Sequence, residues 1–293
     1  MKFSKFSKRA LSLALVVVLV LSFTISARAA APGTNSITTV NLMAAASMRY
    51  SLGERQTNGA YPSGTLLDAF EDQYDITVNV TYDSSGNLLN AMIADTTRSA
   101  DVFISADLAR MNSAVAADII DGDTVYNLLN NELVLVANQS TGLAPNSLPY
   151  SGVAAWLAGA SGRTIAIGDP TVVPAGSYTR LVFDAIDPTG ATWNNILAKA
   201  TLYSNVTNVL NAVAGNVNPI GSVYATDAAT NGSLIVLAHE DVDIIYPIGI
   251  TTAAMEDEEV RGSAAQELVD FLKADIAKPT GSVFKAFGFS AAA

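Results

Sequence analysis

At 293 residues, half of them hydrophobic, the chain is long enough for two modest domains or one large one with a substantial core. Its formal net charge of −11 argues against nucleic acid and anionic lipid as partners. Cysteine is absent, which excludes disulfides, thiolate metal sites, a cysteine nucleophile and a lipid-modified cysteine anchor.

Lys2, Lys5, Lys8 and Arg9 precede an apolar run from Ala10 to Ile25, and Ala27-Arg28-Ala29 offers small residues for cleavage. This is the pattern of a secretory signal peptide over residues 1–29. The alternative is an uncleaved membrane anchor, but the run falls short of the roughly 18 residues of a spanning helix. Cleavage removes the five cations Lys2, Lys5, Lys8, Arg9 and Arg28 and no acid, taking the net charge from −11 to −16. The product is expected to be exported, periplasmic or extracellular, and soluble.

Residues 30–35 read as a linker. Ile37 to Met43 is a strand candidate that runs into the turn Ala44-Ala45-Ala46-Ser47. Thr65 to Tyr74 carries Leu66, Leu67, Ala69 and Phe70 on one helical face, and Ile76 to Tyr82 alternates as a strand before Asp83-Ser84-Ser85-Gly86. Helices are expected over Leu88 to Ala94 and Leu108 to Ala117, with a strand and turn at Asp101 to Asp107 between them. Leu133 to Ala137 and Thr164 to Ile167 are apolar strands, followed by Gly168-Asp169-Pro170 and a helix over Tyr178 to Ile186. Asn205 to Ala214 reads as helix, Ile220 to Tyr224 and Ile244 to Ile250 as strands, and Ala264 to Ala274 as an amphipathic helix. This β/α alternation predicts an α/β fold with parallel sheet covered on both faces.

The strand-to-helix turns Ala44 to Ser47, Asp83 to Gly86, and Gly168 to Pro170 with Val173-Pro174-Ala175-Gly176 gather small and hydroxyl-bearing residues. Such turns present amides and hydroxyls that can surround a small anion without any side-chain charge.

Taken in order, AAAS, the SSG turn, ADVFISAD (Ala100 to Asp107), NELVLVAN (Asn131 to Asn138), IGDPTVVPAGSY (Ile167 to Tyr178), PIGSVYATDA (Pro219 to Ala228) and FKAFGF (Phe284 to Phe289) resemble the molybdate-binding proteins of ABC importers, from about Thr39 to Phe289. The resemblance implies a two-lobed type II periplasmic-binding fold, each lobe a mixed, mainly parallel sheet flanked by helices. One lobe would comprise residues 36–131 and 246–293 and the other 132–245. It also implies a monomer without enzymatic activity or cofactor, which captures molybdate or tungstate in the interlobe cleft and delivers it to a membrane permease. Carried over by motif, the ligand contacts are Ser47 and Ser85 from the first lobe and Ala175, Val206 and Tyr224 from the second. Ala175 and Val206 can act only through backbone N–H groups, and no residue coordinates the metal directly. Ser84 is the alternative to Ser85.

Neutral donors suit a fully deprotonated dianion, since no opposing charge need be desolvated in the empty cleft, and an all-donor site disfavours phosphate, whose proton needs an acceptor. The rival readings are another oxyanion, sulfate or phosphate, and a secreted serine hydrolase, although Ser85 lacks the G-x-S-x-G elbow. Met48 to Ser63 departs from the family as an insertion of about ten residues where a helix usually starts; it reads as a surface loop, with a lid or a charged contact through Arg49 or Arg55 as the alternative. Asp83 also departs, and is expected to point outward as a helix cap rather than inward toward the ligand. The single histidine, His239, lies among acids and reads as part of a solvated loop rather than a metal ligand or base. Glu256 to Glu259 reads as an exposed acidic turn, with a permease-docking surface as the alternative.

Overall fold

The computed structural model describes residues 39–292. The elements in chain order are Thr39–Ala45 (β1), Arg49–Leu52 (α1), Leu66–Tyr74 (α2), Thr77–Asp83 (β2), Ser85–Ala94 (α3), Val102–Ile104 (β3), Leu108–Ala116 (α4), Tyr126–Asn138 (β4), Tyr150–Ala158 (α5), Ile165–Gly168 (β5), Pro174–Ile186 (α6), Ala191–Leu197 (α7), Ala200–Tyr203 (β6), Val206–Ala214 (α8), Ile220–Tyr224 (β7), Ala225–Ala229 (α9), Leu234–Ile250 (β8), Thr252–Met255 (α10), Ser263–Ala277 (α11), Val283–Ala286 (α12) and Ser290–Ala291 (β9).

The strands form one mixed sheet in the order β2-β1-β3-β8-β4-β7-β5-β6, with β9 paired to β4. Two three-stranded parallel units share a pattern in which the first strand is central: β2-β1-β3 and β6-β5-β7. Between them run β4 and β8, long antiparallel strands that join both units, β8 to β3 and β4 to β7. The parallel pairing predicted by the β/α alternation is found within the two three-stranded units, and the sheet as a whole is mixed, as the resemblance implies, because 13- and 17-residue strands pair antiparallel through its centre. The β4/β8 register breaks between Asn131↔Ile244 and Leu133↔Glu240, so Asp241, Val242 and Asp243 lie opposite Glu132 alone.

Burial follows position in the sheet. β5 and β7 are buried along their whole length, as strands covered on both faces must be, whereas edge strand β2 keeps Thr77 and Asn79 exposed and buries Val78. Helices α2 and α11 close one unit through Leu66, Leu67 and Phe70 against Leu268, Val269 and Leu272, with Phe70 and Phe271 meeting edge to face at 5.5 Å. Over the other unit, Val209, Leu210 and Val213 of α8 and Phe183 of α6 bury the same way.

Three local expectations change. A seven-residue helical stretch does follow the AAAS turn, one 3-10 turn over Ala46–Met48 and then α1, and it stops at Gly53, whose φ of 104° is open to glycine but not to a side chain. The rest of the segment, residues 54–63, continues from there as a loop held to the edge of the sheet: Arg55 pairs with Glu71 and donates to the carbonyls of Gly59 and Val78, and Tyr61 Oη donates to Val78. His239 lies in strand β8, not a loop, opposite Val134, with its ring 2.9 Å from Glu132.

Candidate anion-binding site

Every parallel strand of both units ends, at its carboxyl end, on the same small cavity. β1 leads to Ala45, Ala46 and Ser47, β2 to Ser84 and Ser85, and β3 to Ala106; β5 leads to Val173, Pro174 and Ala175, β6 to Val206, and β7 ends in Tyr224. Open α/β sheets place ligands at this end of their strands. The atom-free space, mouth included, is about 200 Å³. No side chain that lines it carries a formal charge.

Each anticipated residue reaches this cavity by its own local device. Ser47 sits in the 3-10 turn, its Oγ 2.8 Å from Tyr246 Oη. Asn131 Nδ2 donates to the Tyr246 oxygen at 3.1 Å; when the phenol in turn donates to Ser47 Oγ, the serine proton is free for whatever fills the cavity. Ser84 is the N-cap of α3 and accepts from Asn87 N, while Ser85 Oγ accepts from Ala106 N at 2.9 Å and keeps its own proton to donate. Each of the two serines thus accepts one main-chain amide and keeps its own proton to donate, and both line the cavity.

The second unit contributes amides. Helix α6 begins at Pro174, which has no N–H, so the amides of Ala175 and Gly176 are among those the first turn leaves without intrahelical acceptors. Gly176 is required here: a Cβ would stand 1.9 Å from the Gly168 carbonyl oxygen. Helix α8 is capped by Asn205, whose side chain accepts from Asn208 N, and its first residue, Val206, lines the cavity. The positive ends of α3, α6 and α8 therefore converge on one point.

Tyr224 completes the lining. Its Oη is buried without any hydrogen-bond partner, a costly state unless a ligand supplies one. Burial pushes the phenols of both Tyr224 and Tyr246 well above their ordinary value, so both remain protonated donors. Behind them Asp227 of α9 is 1% exposed. Neither of its carboxylate oxygens has a side-chain partner, and burial pushes the carboxyl up to about 7, against the lowering effect of the Tyr224 main chain.

Contacts between the two units frame the cavity. Gly86 N donates to the Val172 carbonyl at 2.9 Å. Asn205 Nδ2 donates to Asp83 Oδ1 at 3.3 Å, and Arg110, paired with Asp107, donates to Ser177 Oγ and to the carbonyls of Pro170 and Thr171. Asp83 is accordingly not the helix cap expected of it, a role Ser84 fills; it lies outside the cavity lining, accepts from Ser84 N and Asn87 Nδ2, and bridges to the other unit. Arg49 and Arg55 also lie outside the lining. Among the described residues, no group of three or more His, Asp or Glu is placed to hold a metal ion.

Sequence reasoning missed Tyr246, Asn131 and Asp227. Asn131 and Asp227 fall inside quoted motifs but in no turn, and Tyr246 interrupts an apolar strand with nothing local to mark it. The pairing of β8 with β3, which lies beside β1, brings Tyr246 to Ser47, and its pairing with β4 brings Asn131 to Tyr246.

Two parallel units with donors converging between them define a protein that holds a small solute. The chain belongs to the family described as bacterial extracellular solute-binding protein, whose model matches residues 58–290. It is 28% identical over 269 residues, 86% of this chain and 97% of the relative, to the molybdate-binding protein ModA of Escherichia coli. Its fold is similar to that of the periplasmic molybdate-binding protein of Azotobacter vinelandii, with a TM-score of 0.62 at 18% identity over 87% of this chain and all of that one. The sulfate-binding protein SubI of Mycobacterium tuberculosis is similar at a TM-score of 0.66 and 12% identity, over 86% of each chain, so fold alone does not choose the solute. The chain is a ModA-like ABC-transporter solute-binding protein and not an enzyme. No helix among the described residues is long and apolar enough to cross a membrane.

Proposed function

We propose that this chain captures molybdate, and tungstate with it, between two hinged lobes and delivers it to the permease of an ABC importer, acting as a monomer after cleavage of residues 1–29. The observation that carries the reading is the orphaned, buried Tyr224 hydroxyl in a cavity of about 200 Å³ lined only by uncharged groups. A tetrahedral dianion supplies the acceptor that Tyr224 lacks, together with acceptors for the Ser47 and Ser85 hydroxyls and the Ala175 and Val206 amides. It does so without desolvating a protein cation.

The lobes comprise residues 36–131 with 246–293, and 132–245. Their proposed hinge is supported by the register break at Glu132 and Asp241 to Asp243, where the long strands pass from one parallel unit to the other. Contacts from both units are complete only when the lobes are closed, so the anion shifts the population toward that form, the form a permease would recognise. Phosphate is disfavoured because the lining offers no carboxylate to accept its proton.

The test is titration calorimetry of the purified mature chain against molybdate, tungstate, sulfate and phosphate in turn. Molybdate and tungstate are expected to bind far more tightly than sulfate, and phosphate weakest. Preferential binding of sulfate, or of none of the four, overturns the assignment.

A further inference from the structure

The cavity is neutral, but one ionisable group is buried directly behind it. Asp227 follows Tyr224 by three residues, is 1% exposed, and has two carboxylate oxygens without side-chain partners. Its neighbour Thr226 accepts from Asn131 Nδ2, the same amide that donates to Tyr246 and so supports Ser47. Asp227 is thereby next in sequence to the hydroxyl network behind the anion site, without bonding to it.

Only the Tyr224 main chain at the start of α9 favours a negative charge there, and no cation does. Helix α9 packs against β4, β7, β8 and α8. The titratable groups on those elements are Tyr126 and Glu132 on β4, Tyr224 on β7, and His239, Glu240, Asp241, Asp243 and Tyr246 on β8; α8 has none, and none of the four carries Lys or Arg. Of these, Tyr224 and Tyr246 are fully buried, and both phenols sense the Asp227 charge. His239 is half exposed and bonded to Glu132. Lys285, on the nearby C-terminal helix, donates to the Lys278 carbonyl instead.

We propose that Asp227 takes up a proton as the cleft takes up its anion, so that the protein binds one dianion and one solvent proton together. The inference rests on the reading of the cavity as an oxyanion site. An ionised carboxylate without side-chain partners, in a low-dielectric interior, repels a dianion placed beyond Tyr224; protonation removes that repulsion, and a neutral acid lets the phenols face the ligand alone. Linkage makes the effect reciprocal: the anion raises the proton affinity of Asp227 by the factor by which the proton raises anion affinity. Since burial already holds the empty protein's carboxyl near 7, the sign is fixed. Below that pH the acid is protonated and anion affinity is independent of pH. Above it each binding event draws a proton from solvent, and affinity falls by up to tenfold per pH unit.

The experiment is titration of the mature chain with sodium molybdate at pH 6 and pH 8, at each pH in two buffers of different ionisation enthalpy. Uptake approaching one proton per anion at pH 8, little at pH 6, and an affinity about tenfold weaker at pH 8 are expected. Asp227→Asn should abolish both the buffer dependence and the pH dependence, and His239→Gln should leave both in place. Binding without proton uptake, uptake that survives in Asp227→Asn, or uptake lost in His239→Gln overturns the proposal while leaving the oxyanion site intact; absence of any binding overturns both. Should Asp227→Asn fail to fold, infrared difference spectra of the parent protein at pH 8 serve instead. Molybdate should then bring up the carbonyl band of a protonated carboxyl, and its absence refutes the proposal.

Discussion

The cavity beneath Ser47 and the groove beside the 53–64 loop form opposite answers to the question of where an anion should bind. The groove holds Arg49 and Arg55 within large open spaces of about 770 and 910 Å³ of atom-free volume, and by charge alone it is the obvious candidate. Yet its cations are largely engaged, with Arg49 Nε the one guanidinium nitrogen that is buried without a partner among the described residues. Arg49 pairs with Glu54 and lies over the Tyr82 ring at 4.8 Å; Arg55 pairs with Glu71 and lies over Tyr61 at 4.4 Å. The cavity has no cation, but its hydroxyls and helix-start amides are uncommitted. What suits a site to an anion is the supply of aimed donors without partners, not the count of positive residues, because a charge satisfied internally has little left for a ligand.

The contrast is tested most severely at Tyr224. Replacing it with Phe removes one neutral donor to a dianion and nothing that the empty protein uses, since its hydroxyl has no partner. Affinity for molybdate should fall by about 10- to 100-fold, the worth of one hydrogen bond to a charged group, while thermal stability holds or rises. A variant that binds as well as the parent would show that the phenol does not face the ligand, and a destabilised one would show that it is bonded in the empty protein after all.

A smaller effect is expected at Gly86, where the two parallel units meet. An added Cβ would stand 2.5 Å from the Val172 carbonyl oxygen, the acceptor of the Gly86 amide. Gly86→Ala should therefore press the lobes apart, at a cost of about 1–3 kcal/mol borne by the closed form, and weaken molybdate binding by roughly tenfold. Small-angle scattering should report a more open protein in the presence of the anion. Unchanged affinity and an unchanged profile would mean that closure does not depend on this contact.

Much of the architecture was legible before any coordinates. Strand ends at Ser47, Ser85, Ala175, Val206 and Tyr224 could be read because a strand-to-helix turn writes itself locally, in small residues, caps and a proline at the first helical position. The paired centre of the sheet could not. β4 and β8 read as short apolar strands because their outer halves carry Asn127, Asn130, Glu132, Glu240, Asp241 and Asp243, polar residues that a two-stranded stretch tolerates where it is open to solvent. Tyr246 and Asn131 lie on that pair, so their part in holding Ser47 followed from register, a property of two distant segments together. Asp83 was misjudged for a related reason: its partner Asn205 is 122 positions away, and only the meeting of the two units reveals it.

The mildest prediction returns to the groove. Arg55→Ala removes the ion pair with Glu71, the bonds to Gly59 and Val78 carbonyls and the stack on Tyr61, so it should loosen the loop. Its partners are only partly buried, which limits the loss to about 1 kcal/mol, a shift of roughly 2–4 °C in Tm for a protein of this size. Molybdate affinity should stay within about twofold, because the guanidinium is absent from the cavity lining and solvent ions screen it beyond about 8 Å. Calorimetry of the variant at two ionic strengths decides the matter. A tenfold loss that salt abolishes in the parent would mean that Arg55 steers or holds the anion, and the neutral cavity would no longer account for binding by itself.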